Sequence, residues 1–170
     1  FPDMAPVWDW MCEGLADKPD AASLNLFGYT GVGSLALSAC GPVTHVDASK
    51  KSVAQARENA VLSGMADRPV RWLVDDAAKF TAREVRRGKR YDGSILDPPR
   101  GGRGPEGEVW RLEEGLPGLI AVPPLDRDES RLAQATSQIL EARDFVVIRY
   151  QDEPRFKEGY FPVPPADSLM

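Results

Sequence analysis

Short apolar segments alternate along the chain with longer segments in which apolar residues recur at helical spacing. The apolar segments have the length and the bounding turn residues of buried strands, and they cover residues 23–27, 43–47, 70–74, 91–97 and 145–150. The amphipathic segments predict helices, over residues 8–15, 34–40, 49–64, 75–89 and 128–143. Strands and helices that alternate with short connections predict an α/β fold, with a mostly parallel sheet flanked by helices on both faces.

The composition fits one globular domain. With 170 residues, of which 42% are apolar, the chain is long enough to build a core. We assign residues 1–150 to that domain and expect the proline-rich, polar segment 151–170 to form an irregular tail. No apolar run is long enough to span a bilayer, so no membrane partner is expected.

Cysteine content and charge narrow the functional classes. Cys12 and Cys40 are the only cysteines, and this number predicts neither a disulfide framework nor a zinc site. We therefore expect no metal centre and a reducing, cytoplasmic location. The net charge of −5 argues against a free-standing, nonspecific nucleic-acid binder, although a local basic patch stays compatible with it. The oligomeric state cannot be predicted.

A glycine-rich turn follows the first predicted strand. Gly28, Gly31 and Gly33 stand in the order G-x-x-G-x-G between a strand and a helix, where the backbone can approach a ligand closely. Dinucleotide-binding folds carry G-x-G-x-x-G, and phosphate-binding loops carry Gly-Lys-Ser/Thr. A dinucleotide or triphosphate is therefore disfavoured, and a tight turn without a ligand remains the alternative.

Carboxylates follow the next two predicted strands. Asp47 ends the second strand, where an acid can accept hydrogen bonds from both hydroxyls of a ribose. Asp75 and Asp76 end the third strand, where a carboxylate can accept from the exocyclic amine of adenine, and we favour Asp76. The alternative is helix capping, since a helix follows each acid. With the glycine turn, these acids fit an adenosine without phosphate, as in S-adenosylmethionine, whose carboxylate Thr30 could bind.

These segments resemble the class I S-adenosylmethionine-dependent methyltransferases, and among them the bacterial ribosomal RNA large-subunit branch. The resemblance covers about residues 1–116, with Asn-Leu-Phe-x-Tyr-Thr-Gly and Asp-Pro-Pro as its most specific segments. It implies a Rossmann-like fold, S-adenosylmethionine as the cofactor and RNA as the substrate. The cofactor-binding residues that it implies are Asn25, Phe27, Gly28, Tyr29, Thr30, Gly31, Gly33, Ser34, Asp47, Ala48, Asp76 and Ala77.

By the same resemblance, the catalytic segment is Asp97, Pro98 and Pro99, where the methyl group meets its acceptor. Methyltransferases that act on base amino groups often carry an aromatic residue next, but Arg100 stands there, and a guanidinium can also stack on a base. Arg100 and Arg103 are the candidates for contacting a polyanionic substrate. Methylation at cytosine C5 is disfavoured, because it needs a thiolate and no cysteine lies beside this segment.

The resemblance fades after Leu116, and only one further strand, at residues 145–150, is predicted. Two alternatives therefore stay open: a module that binds S-adenosylmethionine without catalysis, and a nicotinamide dehydrogenase, which the glycine order opposes. Of the remaining candidates, His45 is expected to be structural inside its strand. Trp8 and Trp10 are expected to pack on the core.

Overall fold

The computed structural model describes residues 4–18, 21–89, 91–104, 106–120, 145–150 and 159–162. Its strands are β1 Ser23–Leu26, β2 Val43–Asp47, β3 Val70–Val74, β4 Gly93–Leu96, β5 Gly101–Arg103, β6 Val109–Arg111, β7 Phe145–Tyr150 and β8 Gly159–Pro162. Its helices are α1 Ala5–Leu15, α2 Val32–Leu37, α3 Lys50–Leu62, α4 Ala77–Arg86 and α5 Leu112–Ile120.

Six of the strands form one sheet in the order β3-β2-β1-β4-β7-β8, and β5 and β6 form a separate hairpin. The first four strands of the sheet are parallel, since β1 pairs with β2 and β4, and β2 pairs with β3. The predicted α/β fold with a mostly parallel sheet is thus confirmed. The chain moves from β1 outward to β3 and then crosses back to β4, which makes the gap between β1 and β4 the topological switch point.

The two remaining strands of the sheet run antiparallel. β7 pairs antiparallel with β4, and β8 pairs antiparallel with β7. The alternation of elements had predicted a parallel sheet, and an antiparallel edge on such a sheet is common. β8 also lies inside the segment 151–170, so the prediction of a wholly irregular tail was wrong. The helix predicted over residues 128–143 lies outside the described residues.

Alternating side chains on the central strands divide the core into two layers. One layer joins α1 and α2 to the sheet through Met11, Leu37, Val43 and Ile95. The opposite layer joins α4 and α5 to the other face, through residues that include Leu24, Leu26, Val46, Phe80 and Leu96. Because neighbours on a strand point to opposite faces, Ile95 and Leu96 enter different layers, as helices on both faces require.

Local sequence explains where the helices begin. Ser49 caps α3 by accepting a hydrogen bond from the Ser52 amide at 3.1 Å. α4 is capped in the same way by Asp76. α1 starts earlier than predicted, with Pro6 in its first turn, where a missing amide hydrogen has no consequence. No helix in the described part of the chain has the length and apolar character needed to cross a membrane.

Cys12 of α1 and Cys40, just beyond α2, form a disulfide, with 5.5 Å between their Cα atoms. The cysteine count predicted no disulfide framework and indicated a reducing location. The observed disulfide contradicts the prediction of no disulfide framework. It also removes the reason for predicting a reducing location. Spacing along the chain could not reveal it, because the two residues meet only after α1 packs on α2.

We predict that reduction of this disulfide lowers the melting temperature. The bond joins residues 28 positions apart, for which chain entropy gives a stabilisation of about 3.6 kcal/mol. Thermal unfolding with and without dithiothreitol measures the effect, and a Cys12→Ser/Cys40→Ser variant should melt at one temperature in both buffers. Two titratable thiols in the unreduced, denatured protein would contradict the pairing.

Candidate functional site

A cavity of about 360 Å³ opens at the carboxyl ends of the parallel strands, beside the switch point. It is lined by Phe27, Tyr29, Val46, Asp47, Ala48, Ser49, Asp75, Asp76, Ala77, Asp97, Pro98, Pro99, Gly102, Arg103, Gly104 and Trp110. The ends of β1, β2, β3 and β4 therefore contribute to one space, together with the β5–β6 hairpin.

A second, smaller cavity of about 40 Å³ adjoins the glycine turn. It is lined by Met4, Trp8, Asn25, Phe27, Gly28, Tyr29, Thr30, Val32, Gly33, Ile95 and Asp97. Phe27, Tyr29 and Asp97 line both cavities, so the two cavities adjoin at the ends of β1 and β4. Of the predicted site residues, Gly31, Ser34 and Arg100 line neither cavity.

The glycine turn has a strained backbone. Phe27 and Tyr29 have positive φ angles of 57° and 47°, and Gly31 has a φ angle of 84°. A positive φ is costly for residues with a side chain and tends to persist at functional sites. Gly28 is needed for space, because a Cβ there would collide with the His45 ring. The turn therefore lies tightly against β2, with the Gly28 amide donating to the Val46 carbonyl at 3.1 Å.

Asp47 connects the glycine turn to the start of α3. Its Oδ2 accepts from the Tyr29 amide at 2.8 Å, and its Oδ1 accepts from the Ser49 amide at 2.8 Å. An ionised carboxylate offers about four lone-pair directions, so the half-buried side chain retains acceptor capacity toward the cavity that it lines. Asp47 is therefore both a structural link and a candidate ligand-binding group.

Asp75 and Asp76 both line the larger cavity but have different partners. Asp75 forms an ion pair with Arg83. Asp76 caps α4, where its Oδ1 accepts from the Lys79 amide at 2.9 Å. The capping alternative is thus observed for Asp76, and it leaves the residue at the cavity wall beside Ala77.

Three buried polar side chains, linked by hydrogen bonds, support the glycine turn on its core side. The Asn25 Nδ2 group donates to Ser34 Oγ at 2.9 Å, and that oxygen lies 2.9 Å from His45 Nδ1. All three residues are buried, with His45 0% exposed. His45 is thus a core residue, as predicted from its place in the strand. Ser34, predicted as a cofactor-binding residue, instead joins α2 to β1 and β2.

The Asp-Pro-Pro segment follows β4, where Asp97 and Pro99 are exposed and Pro98 is half-buried. Arg103 of β5 lines the larger cavity, whereas Arg100 is exposed outside it. The structure therefore brings one of the two predicted substrate-binding arginines to the site.

Trp110 is a cavity residue that the sequence analysis missed. Its ring centroid lies 4.9 Å from that of Phe27, and its Nε1 donates to the Pro99 carbonyl at 2.8 Å. The alternating Val109-Trp110-Arg111 after a glycine-rich loop could have indicated a hairpin strand. Lys79 of α4 fastens this hairpin by ion pairs with Glu106, at 2.7 Å, and Glu108. The Lys79 partner lowers the pKa of Glu108 to about 2.

The fold and the crevice at its switch point are typical of one class of protein. The chain resembles the class I S-adenosylmethionine-dependent methyltransferases. A S-adenosylmethionine-dependent methyltransferase structure from Agrobacterium tumefaciens is 47% identical, with a TM-score of 0.69, over 72% of this chain and 40% of that one. The structure of SMU.776, solved with S-adenosylhomocysteine, is 27% identical, with a TM-score of 0.56, over 71% of this chain and 31% of that one.

Among curated proteins, the ribosomal RNA large subunit methyltransferase I of Klebsiella pneumoniae strain 342 is 32% identical over 83 residues, or 48% of this chain. That of Alteromonas mediterranea is 34% identical over 83 residues, or 48% of this chain. In both cases the chain spans 21% of the relative's length. No protein-family model matches the chain. The resemblance to the ribosomal RNA branch is confirmed.

We predict that the free energy of unfolding decreases when the pH is lowered, because His45 becomes protonated. Burial lowers the pKa of His45 to about 4, against about 6.5 in an unfolded chain. The unfolded state therefore binds the proton more tightly, and the free energy of unfolding decreases by about 3 kcal/mol as the pH falls from 6.5 to 4.

His45 is the only histidine, so one imidazole NMR signal reports the titration. A midpoint near pH 4 is expected, and a midpoint near pH 6.5 would contradict the burial. In chemical denaturation, the stability difference between the wild type and His45→Gln should narrow as the pH falls through this range.

Proposed function

We propose that this chain is the cofactor-binding and catalytic domain of a methyltransferase that uses S-adenosylmethionine and methylates a base in RNA. The observation that carries the proposal is that the glycine turn, Asp47, Asp76 and Asp97 line two adjoining cavities. A ligand bound there would contact the ends of all four parallel strands. A cytoplasmic location belongs to the same proposal, since ribosomal RNA is its expected substrate.

The larger cavity suits the adenosine part of the cofactor. Asp47 can accept hydrogen bonds from the ribose hydroxyls through the lone pairs that Tyr29 and Ser49 do not use. Asp76 and Ala77 lie farther along the wall, where the Asp76 carboxylate can accept from the adenine amine. Arg103 is the one cationic side chain among the residues that line this cavity, which suits a nucleoside better than a polyphosphate.

The smaller cavity suits the methionine part. Gly28, Thr30 and Gly33 place backbone close to this space, and Asn25 lines it from β1. Asn59 holds the turn from α3, by donating from Nδ2 to the Thr30 carbonyl at 2.9 Å. The Gly28, Tyr29 and Gly31 amides already donate within the protein. The Thr30 amide and hydroxyl can therefore bind the carboxylate of the cofactor without a lysine or arginine.

Catalysis on this scaffold depends mainly on positioning. When bound, the cofactor supplies an electrophilic methyl group, which an acceptor attacks in line with the departing sulfur. Asp97 lines both cavities, and it is placed to accept a hydrogen bond or a proton from an acceptor amine. Pro98 and Pro99 fix the backbone that carries it. Holding the two reactants in this geometry supplies much of the rate enhancement.

RNA is the proposed acceptor class. The curated relatives are ribosomal RNA methyltransferases, and exposed Arg100, Arg103 and Arg111 lie on or beside the hairpin next to Asp97. An acceptor nitrogen is favoured over cytosine C5, because both cysteines of the chain are joined in the disulfide between α1 and α2. The net charge of −5 suggests that another part of a longer protein provides much of the RNA affinity.

We predict that S-adenosylhomocysteine binds the wild type and that Asp47→Ala weakens this binding about 100-fold or more. The expected loss reflects two hydrogen bonds to a charged group, at about 1.5 kcal/mol or more each. Isothermal titration calorimetry measures both affinities. Asp67→Ala removes the same charge at an exposed turn and should bind as the wild type does.

A folded wild type that does not bind S-adenosylhomocysteine would refute the proposal. Equal affinities for the wild type and Asp47→Ala would refute the ribose role of Asp47. Micromolar binding of NADH would instead favour the dehydrogenase alternative.

We predict that Asp97→Asn lowers methyl transfer by about 100-fold or more, as removal of a general base does, while cofactor affinity changes little. Transfer of a tritiated methyl group to unmodified large-subunit ribosomal RNA measures the first quantity, and calorimetry the second. Asp67→Asn is the matched control. Undiminished transfer by Asp97→Asn would exclude the catalytic role, and binding without transfer by the wild type would favour the inactive module.

A further inference from the structure

We propose that Trp110 forms one wall of the adenine site, with the face of its indole stacked on the base of the bound cofactor. The inference rests on the proposed function. It adds to the cofactor site a residue that lies outside both the glycine turn and the acids at the strand ends. It also assigns a role to the β5–β6 hairpin.

The Trp110 ring is anchored on two sides. Its Nε1 donates to the Pro99 carbonyl at 2.8 Å, which fixes the ring against the Asp-Pro-Pro segment. The ring packs against Phe27 at a tilt of 50°, and α5 passes so close that a Cβ at Gly115 would collide with it. The ring therefore keeps its orientation without a ligand, and stacking costs little conformational entropy.

The residue opposite Trp110 leaves space beside the ring. Gly102 of β5 is its direct cross-strand partner, and directly paired residues project side chains to the same face of a hairpin. Because Gly102 has no side chain, this position adds nothing that would cover the indole. Both residues line the 360 Å³ cavity. A planar group entering that cavity can therefore reach the ring.

The hairpin is fastened to the element that carries the predicted adenine acceptor. Lys79 pairs with Glu106 and Glu108 of the hairpin. Its own amide donates to Asp76, the capping residue of α4. Lys79 thus links Asp76 to the turn of the hairpin that carries Trp110. Asp76 could accept from the base edge while Trp110 contacts the base face, a pairing that suits a purine.

The location of Trp110 favours the cofactor's adenine over the acceptor base. Trp110 shares its cavity with Asp47 and Asp76, and it is not among the residues that line the smaller cavity around the glycine turn. The acceptor must reach Asp97, where the two cavities meet. The ring therefore lies on the adenosine side of the methyl-transfer position.

Three variants test the inference by calorimetry with S-adenosylhomocysteine. Trp110→Leu should weaken binding by about 10-fold, since the base loses its aromatic stacking surface, and Trp110→Phe should weaken it less. Gly102→Leu should weaken binding although Trp110 is intact, because its side chain would cover the ring. A Cβ at Gly102 would meet only Pro99 Cγ at 3.8 Å, so this variant should fold. Methylthioadenosine, which lacks the amino-acid part, should show the same losses.

Fluorescence adds a readout that a purely structural tryptophan would not move. S-adenosylhomocysteine should quench the emission of the wild type, and Trp110→Phe should abolish most of that quenching. Trp10→Phe, which alters a tryptophan packed on the α1–α2 layer, should leave the quenching unchanged.

The outcomes separate this inference from the proposed function. If Asp47→Ala weakens binding but Trp110→Leu and Gly102→Leu bind as the wild type does, the stacking role is wrong and the proposed function stands. If those two variants keep cofactor affinity but lose methyl transfer to RNA, the ring serves the acceptor base and the inference is again overturned. A wild type that does not bind S-adenosylhomocysteine overturns both.

Discussion

The candidate site depends first on the two hydrogen bonds that the Asp47 carboxylate accepts. One comes from the amide of Tyr29 in the glycine turn, and the other from the amide of Ser49 at the start of α3. The Asp47 side chain at the end of β2 therefore joins the turn after β1 to the start of α3, beside the two adjoining cavities. Because two of the chain's own amides hold the carboxylate, its remaining lone pairs are preorganised for a ligand.

The strained glycine turn is held in place by close packing against the residues on its core side. Positive φ angles at Phe27 and Tyr29 cost energy, and the close approach of Gly28 to β2 allows no side chain. His45 lies directly below, neutral and buried, and hydrogen-bonded to Ser34. The hydrogen-bonded group of Asn25, Ser34 and His45 therefore supports the site and takes no part in its chemistry. This division explains why a sole histidine near a cofactor cavity need not be a general base.

Much of the fold could be predicted from local patterns. The bounds of β2 and β3 and the Ser49 cap follow from alternation and capping residues that sit within a few positions of each other. The disulfide between Cys12 and Cys40 and the antiparallel direction of β7 could not be predicted, because both depend on contacts between segments distant in sequence. α5 was also missed, since its glycines and proline are poor helix formers.

The candidate site was likewise predicted only in part from local patterns. The residues at strand ends were predicted because the carboxyl ends of parallel strands meet at one edge, and Asp47, Asp76 and Asp97 do line one cavity. Trp110 was missed because it reaches that cavity from a hairpin whose glycine-rich first strand indicated a loop. Arg100 lies outside that cavity, because adjacency to Asp-Pro-Pro along the chain did not direct its side chain into it.

The most direct test of the site is an NMR titration of the 15N-labelled chain with S-adenosylhomocysteine. We predict that the largest shifts fall on the amides of Gly28–Gly33, Asp47–Ser49 and Asp76–Ala77, because these segments contribute to the walls of the two adjoining cavities. Shifts that cluster on another surface, or a spectrum that does not change at saturating ligand, would contradict the assignment of this crevice as a cofactor site.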